Sequence, residues 1–326
     1  MRLTQHPLSF LTLASAIAVA SLAVSPSQAA PSGPPFPQVV DASHATKPTK
    51  AFFNAFFRAK SRHDVSATMS HFSTKGVTYV DATLGWLFPS HEALKTVFEQ
   101  YMPKWPASGL SYPTRILGDE HSALIAFTDT PELFGSEIRI LAAVDLKGGK
   151  VVRWVDYHDG RTFGAALAAK MRTPTDKFPV DFKEDSAPKG NASARLVGVA
   201  GKLQAACASG SAKAAAALFS NDAVYEDMTL RTQILGKLAI ERYLARALSK
   251  LPAGPGSSML HTVGGDLGGG YEWQAAPAFD KTVRRGITAL TLDADGKVSR
   301  LTTVWDGAMI SDAEIKALTM LALEPS

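Results

Sequence analysis

Apolar side chains recur at helical spacing in two separate parts of the chain. Phe52, Phe53, Phe56 and Phe57 lie at positions i, i+1, i+4 and i+5, which places their rings along one face of a helix. A second apolar set predicts the corresponding helix in the second part of the chain. Its members are Leu196, Val197, Val199, Ala200, Leu203 and Ala206.

Two more helices are predicted in each part. The second helix begins after a capping side chain, Asp64 in the first part and Ser211 in the second, since both residue types accept hydrogen bonds from a first helical turn. The third helix is predicted from His91 to Tyr101 and from Lys237 to Leu248. A short strand is predicted before each third helix, at 77–84 and at 224–230.

The rest of each part is predicted to be a run of strands. Residues 147–149 and 293–296 are typical of hairpin turns. Helices gathered before a run of antiparallel strands indicate the α+β class and not alternating α/β. The predicted strands are 115–117, 122–128, 137–146 and 151–159, then 259–263, 270–274, 282–292 and 298–306.

The last strand carries the same motif twice. Residues 149–160 and 296–307 coincide at a fixed offset of 147 positions. A period of this length is too long for a solenoid and indicates a duplicated globular domain. The shared Asp-Gly pair at the end is interpreted as a strand end or turn cap. The matching residues are Gly149/Gly296, Lys150/Lys297, Val151/Val298, Arg153/Arg300, Asp159/Asp306 and Gly160/Gly307.

Composition divides the chain into five segments. Residues 1–29 combine a basic start, an apolar run and a small-residue cleavage site, which predicts a secretory signal peptide and export to the periplasm or the extracellular space. An uncleaved membrane anchor is the alternative, but the apolar run is short for a span. The later segments are a Pro/Ser-rich leader at 30–47, a first domain at 48–172, a linker at 173–193 and a second domain at 194–326.

Charge and cysteine content indicate which kinds of binding partner and covalent link the protein lacks. The net charge is +4, and the scattered basic residues form no stripe of the kind that binds nucleic acid. No segment after the signal is apolar enough to span a bilayer, so no membrane partner is expected. Cys207 is the only cysteine, which excludes an intrachain disulfide, and its Ala-rich surroundings favour a buried structural thiol.

Two motifs carry a resemblance to a known family. Tyr-x-Asp-x-Thr-Leu at 79–84 precedes the third helix, and Arg-Trp-x-Asp-Tyr-x-Asp at 153–159 closes the last strand. In this order, and occurring twice, they resemble the NTF2-like superfamily, with the SnoaL-like group closest, over roughly 48–170 and 194–320. The resemblance implies two cone-shaped domains, each a curved antiparallel sheet wrapped around about three helices with a pocket inside. The superfamily includes ketosteroid isomerases, polyketide cyclases, scytalone dehydratases, limonene epoxide hydrolases and many non-catalytic modules.

The first copy holds the candidate catalytic groups. Because side chains alternate along a strand, Trp154, Asp156 and His158 share one face. Asp156 matches the aspartate of the family motif and is the predicted base, assisted by His158 or Tyr79, with Asp81 as a further candidate. Burial raises a carboxylate's pKa towards the working pH, as proton transfer to or from carbon requires. A hydrogen-bonding residue near a strand end is the structural alternative for Asp156.

Differences from the family and between the copies refine this prediction. Val155 stands where the family often has arginine, which argues against an epoxide-hydrolase site. Leu301, Thr303 and Trp305 replace Trp154, Asp156 and His158 in the second copy, so chemistry is expected in the first copy alone. Glu272 and Gln274 would share one face of a middle strand, and we expect that face to point outward as ordinary alternation; an inward face, with a second polar pocket, is the alternative.

The predicted ligand is a small apolar molecule held by aromatic rings. The predicted substrate-binding residues are Trp154, Trp86, Phe127 and Tyr157, with core packing as the alternative for the rings. No metal-ligand spacing, phosphate loop or nucleophile motif occurs, so no metal and no cofactor are expected.

Three functions are consistent with these residues. The first is an exported acid–base enzyme of isomerase, lyase or hydrolase type that needs no cofactor. The second is a non-catalytic small-molecule-binding protein, and the third is a structural pseudo-dimer in which two cones pack sheet to sheet. Export argues against a polyketide cyclase, since those enzymes act on intracellular intermediates. Only the first function requires an ionisable Asp156.

Overall fold

A computed structural model describes residues 35–279 and 282–324 of the chain. The predicted signal peptide at 1–29 lies outside the described residues. The described part contains two successive α+β halves, which we call the first half and the second half. In the described ranges no helix is both long and apolar enough to cross a membrane.

The first half begins with helices that their own side chains cap. Thr46, Asp64 and Ser90 each accept a backbone N–H from the first turn of a helix. The third helix has the predicted bounds, and two short helices at the end of the set were not predicted. The helices are α1 Lys47–Ser61, α2 Val65–Met69, α3 His91–Tyr101, α4 Pro131–Phe134 and α5 Ala165–Met171.

Six strands of the first half form one sheet in the order β2-β1-β6-β5-β4-β3. Four of its pairings are antiparallel, as predicted, but β1 pairs with β6 in parallel. The chain forms four other strands and the helices α3 and α4 between them, so no tight turn forces them to run in opposite directions. The strands are β1 Thr78–Asp81, β2 Trp86–Phe88, β3 Ser111–Gly118, β4 Ser122–Asp129, β5 Ile138–Lys147 and β6 Lys150–Tyr157.

The second half repeats this architecture. Its sheet has the order β8-β7-β12-β11-β10-β9, and β7 pairs with β12 in parallel. The strands are β7 Phe219–Asp227, β8 Thr232–Leu235, β9 Ser258–Gly265, β10 Gly268–Gln274, β11 Arg285–Leu292 and β12 Val298–Trp305. The helices are α6 Ala194–Ala208, α7 Ala212–Ala216, α8 Lys237–Ala247 and α9 Asp312–Met320.

The two halves pack sheet against sheet, as the pseudo-dimer prediction requires. Strands β3, β4 and β5 contact β9, β10 and β11. Phe178 and Phe182 from the linker are buried in the same contact, so this segment contributes to the core and is more than a tether. Apolar residues of both sheets form its centre: Val80, Leu124, Leu141, Val155, Ile287 and Val304.

The predicted leader is partly docked on the first sheet. Asp41 forms a parallel bridge with Arg115, and Ala45 forms one with Gly118 on the edge strand β3. Unpaired edge strands invite pairing with other chains, so this segment covers an edge that would otherwise be open. Residues 41 and 45 of the predicted leader therefore belong to the edge of the first sheet.

Candidate functional site

Asp156 lies on β6 and faces the interior of the first half. Parallel pairing aligns Tyr79 with Trp154 and Asp81 with Asp156 on neighbouring strands. The Tyr79 and Trp154 rings stack with their centroids 6.1 Å apart. Trp154 Nε1 donates to Asp156 Oδ1 at 2.6 Å, and the Tyr79 hydroxyl donates to Oδ2. Both carboxylate oxygens are thus held by aromatic donors.

Burial dominates the electrostatics of Asp156. The residue is only 6% exposed. Burial raises the pKa of its carboxyl group, while the hydrogen bonds from Tyr79 and Trp154 lower it, and the result is a pKa of about 7. Burial and the nearby Asp156 also raise the pKa of Tyr79 well above its usual value, so the phenol stays protonated as a donor. Near neutral pH, Asp156 is therefore able both to accept and to release a proton.

His158 and Asp81 form a second polar pair on the same side of the sheet. His158 Nε2 lies 3.1 Å from Asp81 Oδ2, while Asp81 Oδ1 accepts the backbone N–H groups of Thr83 and Leu84. Burial alone would lower the pKa of His158, but the charge and hydrogen bond of Asp81 outweigh it and raise the pKa to about 9. The buried Nδ1 of His158 has no hydrogen-bond partner among the described residues. The imidazolium therefore has one N–H to offer a ligand.

Aromatic rings enclose this polar group. Trp154 contacts Phe56 at 5.0 Å and Phe127 at 6.3 Å between ring centroids, and all three are buried. Phe127 is therefore packed against Trp154 in the interior of the first half. On the outer side, the half-buried Phe88 and Phe98 lie 6.1 and 6.4 Å from the half-buried Tyr79. These three rings are therefore the more exposed part of the aromatic group.

Lys60 is a buried charge that the sequence analysis missed. Its Nζ lies 3.2 Å from Asp129 Oδ1, and both side chains are less than a tenth exposed. The ammonium lies 5.1 Å from the centre of the Phe127 ring and lowers the pKa of Asp156 in opposition to burial. Helical spacing carried the signal, because Lys60 follows Phe53, Phe56 and Phe57 on the buried face of α1.

Two predicted substrate-binding residues lie elsewhere. Tyr157 is on the opposite face of β6, where its hydroxyl donates to Glu272 Oε1 of the second half at 2.8 Å. Strand alternation separates it from Trp154 and Asp156, so it does not line the same interior. Trp86 is half-buried, and its Nε1 donates to the Met171 carbonyl at 2.8 Å, which ties β2 to the end of α5.

The second half has a different interior. Thr303, in place of Asp156, donates to the Ile287 carbonyl at 3.0 Å. Asp227 matches Asp81 but accepts from Trp305 Nε1 at 3.3 Å, and burial raises its pKa to about 6. A cavity of about 30 Å³ remains, enough for a water molecule. Its polar lining consists of hydroxyl groups and a thiol, from Tyr225, Tyr271, Thr288, Thr303 and Cys207.

Glu272 and Cys207 are two further residues of the second half with expected positions or roles. Glu272 was expected on an outward face, but that face packs against the first half and the side chain is fully buried. Burial raises the pKa of the Cys207 thiol to about 12, in keeping with a structural role. Within the described ranges, no three His, Cys, Asp or Glu side chains group as a metal site would require.

No protein-family model and no curated protein matches the sequence. A candidate ketosteroid isomerase from Kribbella flavida is 18% identical and covers 35% of this chain and 78% of its own, with a TM-score of 0.30. An NTF2-like protein of unknown function from Burkholderia xenovorans is 15% identical; the match covers 34% of this chain and 83% of that protein, with a TM-score of 0.30. A SnoaL-like protein of unknown function from Burkholderia thailandensis is 14% identical, covers 35% and 96%, and has a TM-score of 0.30. The chain is thus similar to NTF2-like, SnoaL-like and ketosteroid isomerase-like proteins, each of which matches about a third of its length.

Proposed function

We propose that this protein is a cofactor-independent acid–base enzyme that acts on a small apolar molecule in the first half. The observation that carries the proposal is the buried Asp156 carboxyl group, held by Tyr79 and Trp154 with a pKa of about 7. A carboxyl group with this pKa is a useful proton acceptor and donor near neutral pH. Such a perturbed group in an aromatic interior is typical of a functional site.

The neighbouring groups have complementary roles in the proposal. Asp156 exchanges the proton with carbon, and the Nδ1–H of His158 supplies a hydrogen bond to an oxygen atom of the ligand. The single hydroxyl proton of Tyr79 holds Asp156 Oδ2 in place. Asp81 keeps His158 charged. The half-buried rings of Phe88 and Phe98 provide the apolar surface from which a ligand enters. The packed rings around Asp156 must shift for a ligand to reach the carboxylate.

Proton exchange with a small ketone provides a direct test. The protein in D₂O is incubated with cyclohexanone, 1-tetralone or 5-androstene-3,17-dione, and NMR follows loss of the α-hydrogen signal. Asp156→Asn should reduce the enzymatic exchange rate at least 100-fold, in line with the usual contribution of a general base. Thr303→Asn, at the matching position of the second half, should leave the rate unchanged.

Two results would count against the enzyme. The proposal fails if every ketone exchanges its α-hydrogens no faster with the protein than in buffer alone. It also fails if the wild type and Asp156→Asn give equal exchange rates. Saturable binding of 1-tetralone, measured by quenching of tryptophan fluorescence, without any exchange would instead support a non-catalytic binding protein.

Export is part of the proposal. Residues 1–29 carry the basic start, apolar run and cleavage site of a secretory signal. Expression of the full chain in a bacterial host, followed by mass spectrometry of the secreted or periplasmic fraction, should give a mature protein that begins at Ala30. Recovery of the uncleaved chain in the membrane fraction would support an anchor instead.

A further inference from the structure

A buried group of charges lies between the two halves, on the sheet faces opposite the candidate site. Arg153 of β6 donates to Glu272 of β10 through two nitrogens, at 2.6 and 3.0 Å. The Tyr157 hydroxyl donates to Glu272 at 2.8 Å. Arg153 and Glu272 are both fully buried, so water cannot compensate either charge.

His261 and Asp145 extend this group across the contact. His261 of β9 lies with Nε2 at 2.9 Å from Asp145 Oδ2 of β5, and Asp145 is fully buried. Asn191 donates to Asp145 at 3.2 Å, and Arg153 approaches it at 3.7 Å. The other charges are Glu184, 3.8 Å from Arg153, and Arg285, which pairs with Glu184.

The charge balance of this group depends on His261. Two arginines, Arg153 and Arg285, face three carboxylates, Asp145, Glu184 and Glu272. A protonated His261 makes three positive charges against three negative ones. A neutral His261 leaves one net negative charge in a buried contact, and an unbalanced buried charge is costly.

The pseudo-equivalent position in the first half holds a permanent charge. Arg115 of β3 and His261 of β9 each follow an irregularity in the pairing of an edge strand with its neighbour. Arg115 reaches across the contact to Thr302 at 3.2 Å, near the Arg300–Glu226 pair. Arginine stays protonated in proteins, whereas histidine titrates near neutral pH. The charge of Arg115 therefore does not change with pH near neutrality, whereas the charge of His261 does.

We propose that His261 is a proton-dependent lock between the two halves: the charged imidazole stabilises their contact by balancing Asp145, and loss of its proton weakens the contact. The groups that face it are Asp145 from β5, Arg153 from β6 and Glu272 from β10. The lock is independent of the proposed enzyme activity, because these side chains lie on the sheet faces that meet between the halves.

The pKa of His261 sets the direction of the effect. Burial lowers the pKa, but the hydrogen bond and charge of Asp145, together with Glu272, outweigh burial and raise it above 6.5. Stability from a raised histidine pKa is fully present below the unfolded value and is lost as the pH rises through the folded value. Since one proton is involved, the unfolding equilibrium constant rises by at most tenfold per pH unit in that interval.

The test compares urea unfolding of the full chain from about pH 6 to about pH 9 for wild type, His261→Gln and His261→Arg. The free energy of unfolding of His261→Gln should be lower than that of the wild type, and this difference should become smaller as the pH rises. The stability of His261→Arg relative to His261→Gln should not change with pH. His121→Gln, at an exposed histidine, controls for the substitution and should show no such trend.

NMR of the wild type supplies an independent measurement if a variant fails to fold. The imidazole C–H signals of His261, assigned by their loss in a variant or from backbone assignments, should titrate above pH 6.5. A difference between wild type and His261→Gln that is constant with pH would overturn the lock. An imidazole that titrates at or below 6.5 would also overturn it, whatever the outcome of the ketone assay.

Discussion

Replacing Asp156 with Asn is predicted to stabilise the protein while removing its acid–base group. Burial raises the pKa of this carboxyl group from 3.8 to about 7. The stability that a raised carboxyl pKa contributes is present below the unfolded value and is lost as the pH rises through the folded value. Asn does not ionise, and its amide has both an acceptor for Trp154 and a donor for Tyr79, so it retains the local hydrogen bonds.

The magnitude follows from the two pKa values. They differ by about three, and each pKa unit corresponds to about 1.4 kcal/mol, so ionisation of Asp156 costs the fold about 4 kcal/mol at pH 8. The substitution should therefore raise the free energy of unfolding by about 4 kcal/mol at pH 8 and by about zero at pH 4. A carboxylate retained at such a cost fits a site where function and stability conflict.

Urea unfolding at pH 4, 6 and 8, followed by circular dichroism and tryptophan fluorescence, measures this difference by linear extrapolation. Asp222→Asn, at an exposed side chain, controls for the change of Asp to Asn. The reasoning is refuted if Asp156→Asn is no more stable than wild type at pH 8. An equal gain at pH 4 and pH 8 would also refute it, because the gain would then not come from ionisation.

Two further predictions concern the contact between the halves. Glu272→Gln should lower the free energy of unfolding by about 3 kcal/mol, since it leaves buried Arg153 without its main partner. Glu226→Gln, in a pair about a third exposed, should lower it by less than about 1 kcal/mol. Equal costs of the two substitutions in urea unfolding would contradict the argument. Gly264→Ala should cost about 2 kcal/mol or more by the same measurement, because φ is +127° and a Cβ would lie 2.4 Å from Gly269 Cα. Gly148→Ala, with φ +59° and open space, should cost about 1 kcal/mol, and a Gly264 variant as stable as that one would show that the close backbone approach can relax.

Local patterns predicted the elements better than their partners. The α+β class, the bounds of α3 and the face shared by Trp154 and Asp156 follow from helical spacing and strand alternation. The short strands β2 and β8 and the short helices α4 and α5 were missed, since stretches this short carry little periodic signal, and the terminal helix α9 was missed as well. The parallel pairing of β1 with β6 was missed because it joins residues about 75 positions apart.

The sequence by itself determined that the chain is a duplicated pair of α+β halves and that one half alone carries Asp156 and His158. Only the tertiary structure decided what these groups contact. It placed Tyr79 in hydrogen-bond contact with Asp156, Asp81 with His158, and Tyr157 with Glu272. The physical reason is that periodicity records which face a side chain takes, whereas its neighbours and its pKa depend on strand register and on the packing of one sheet against another.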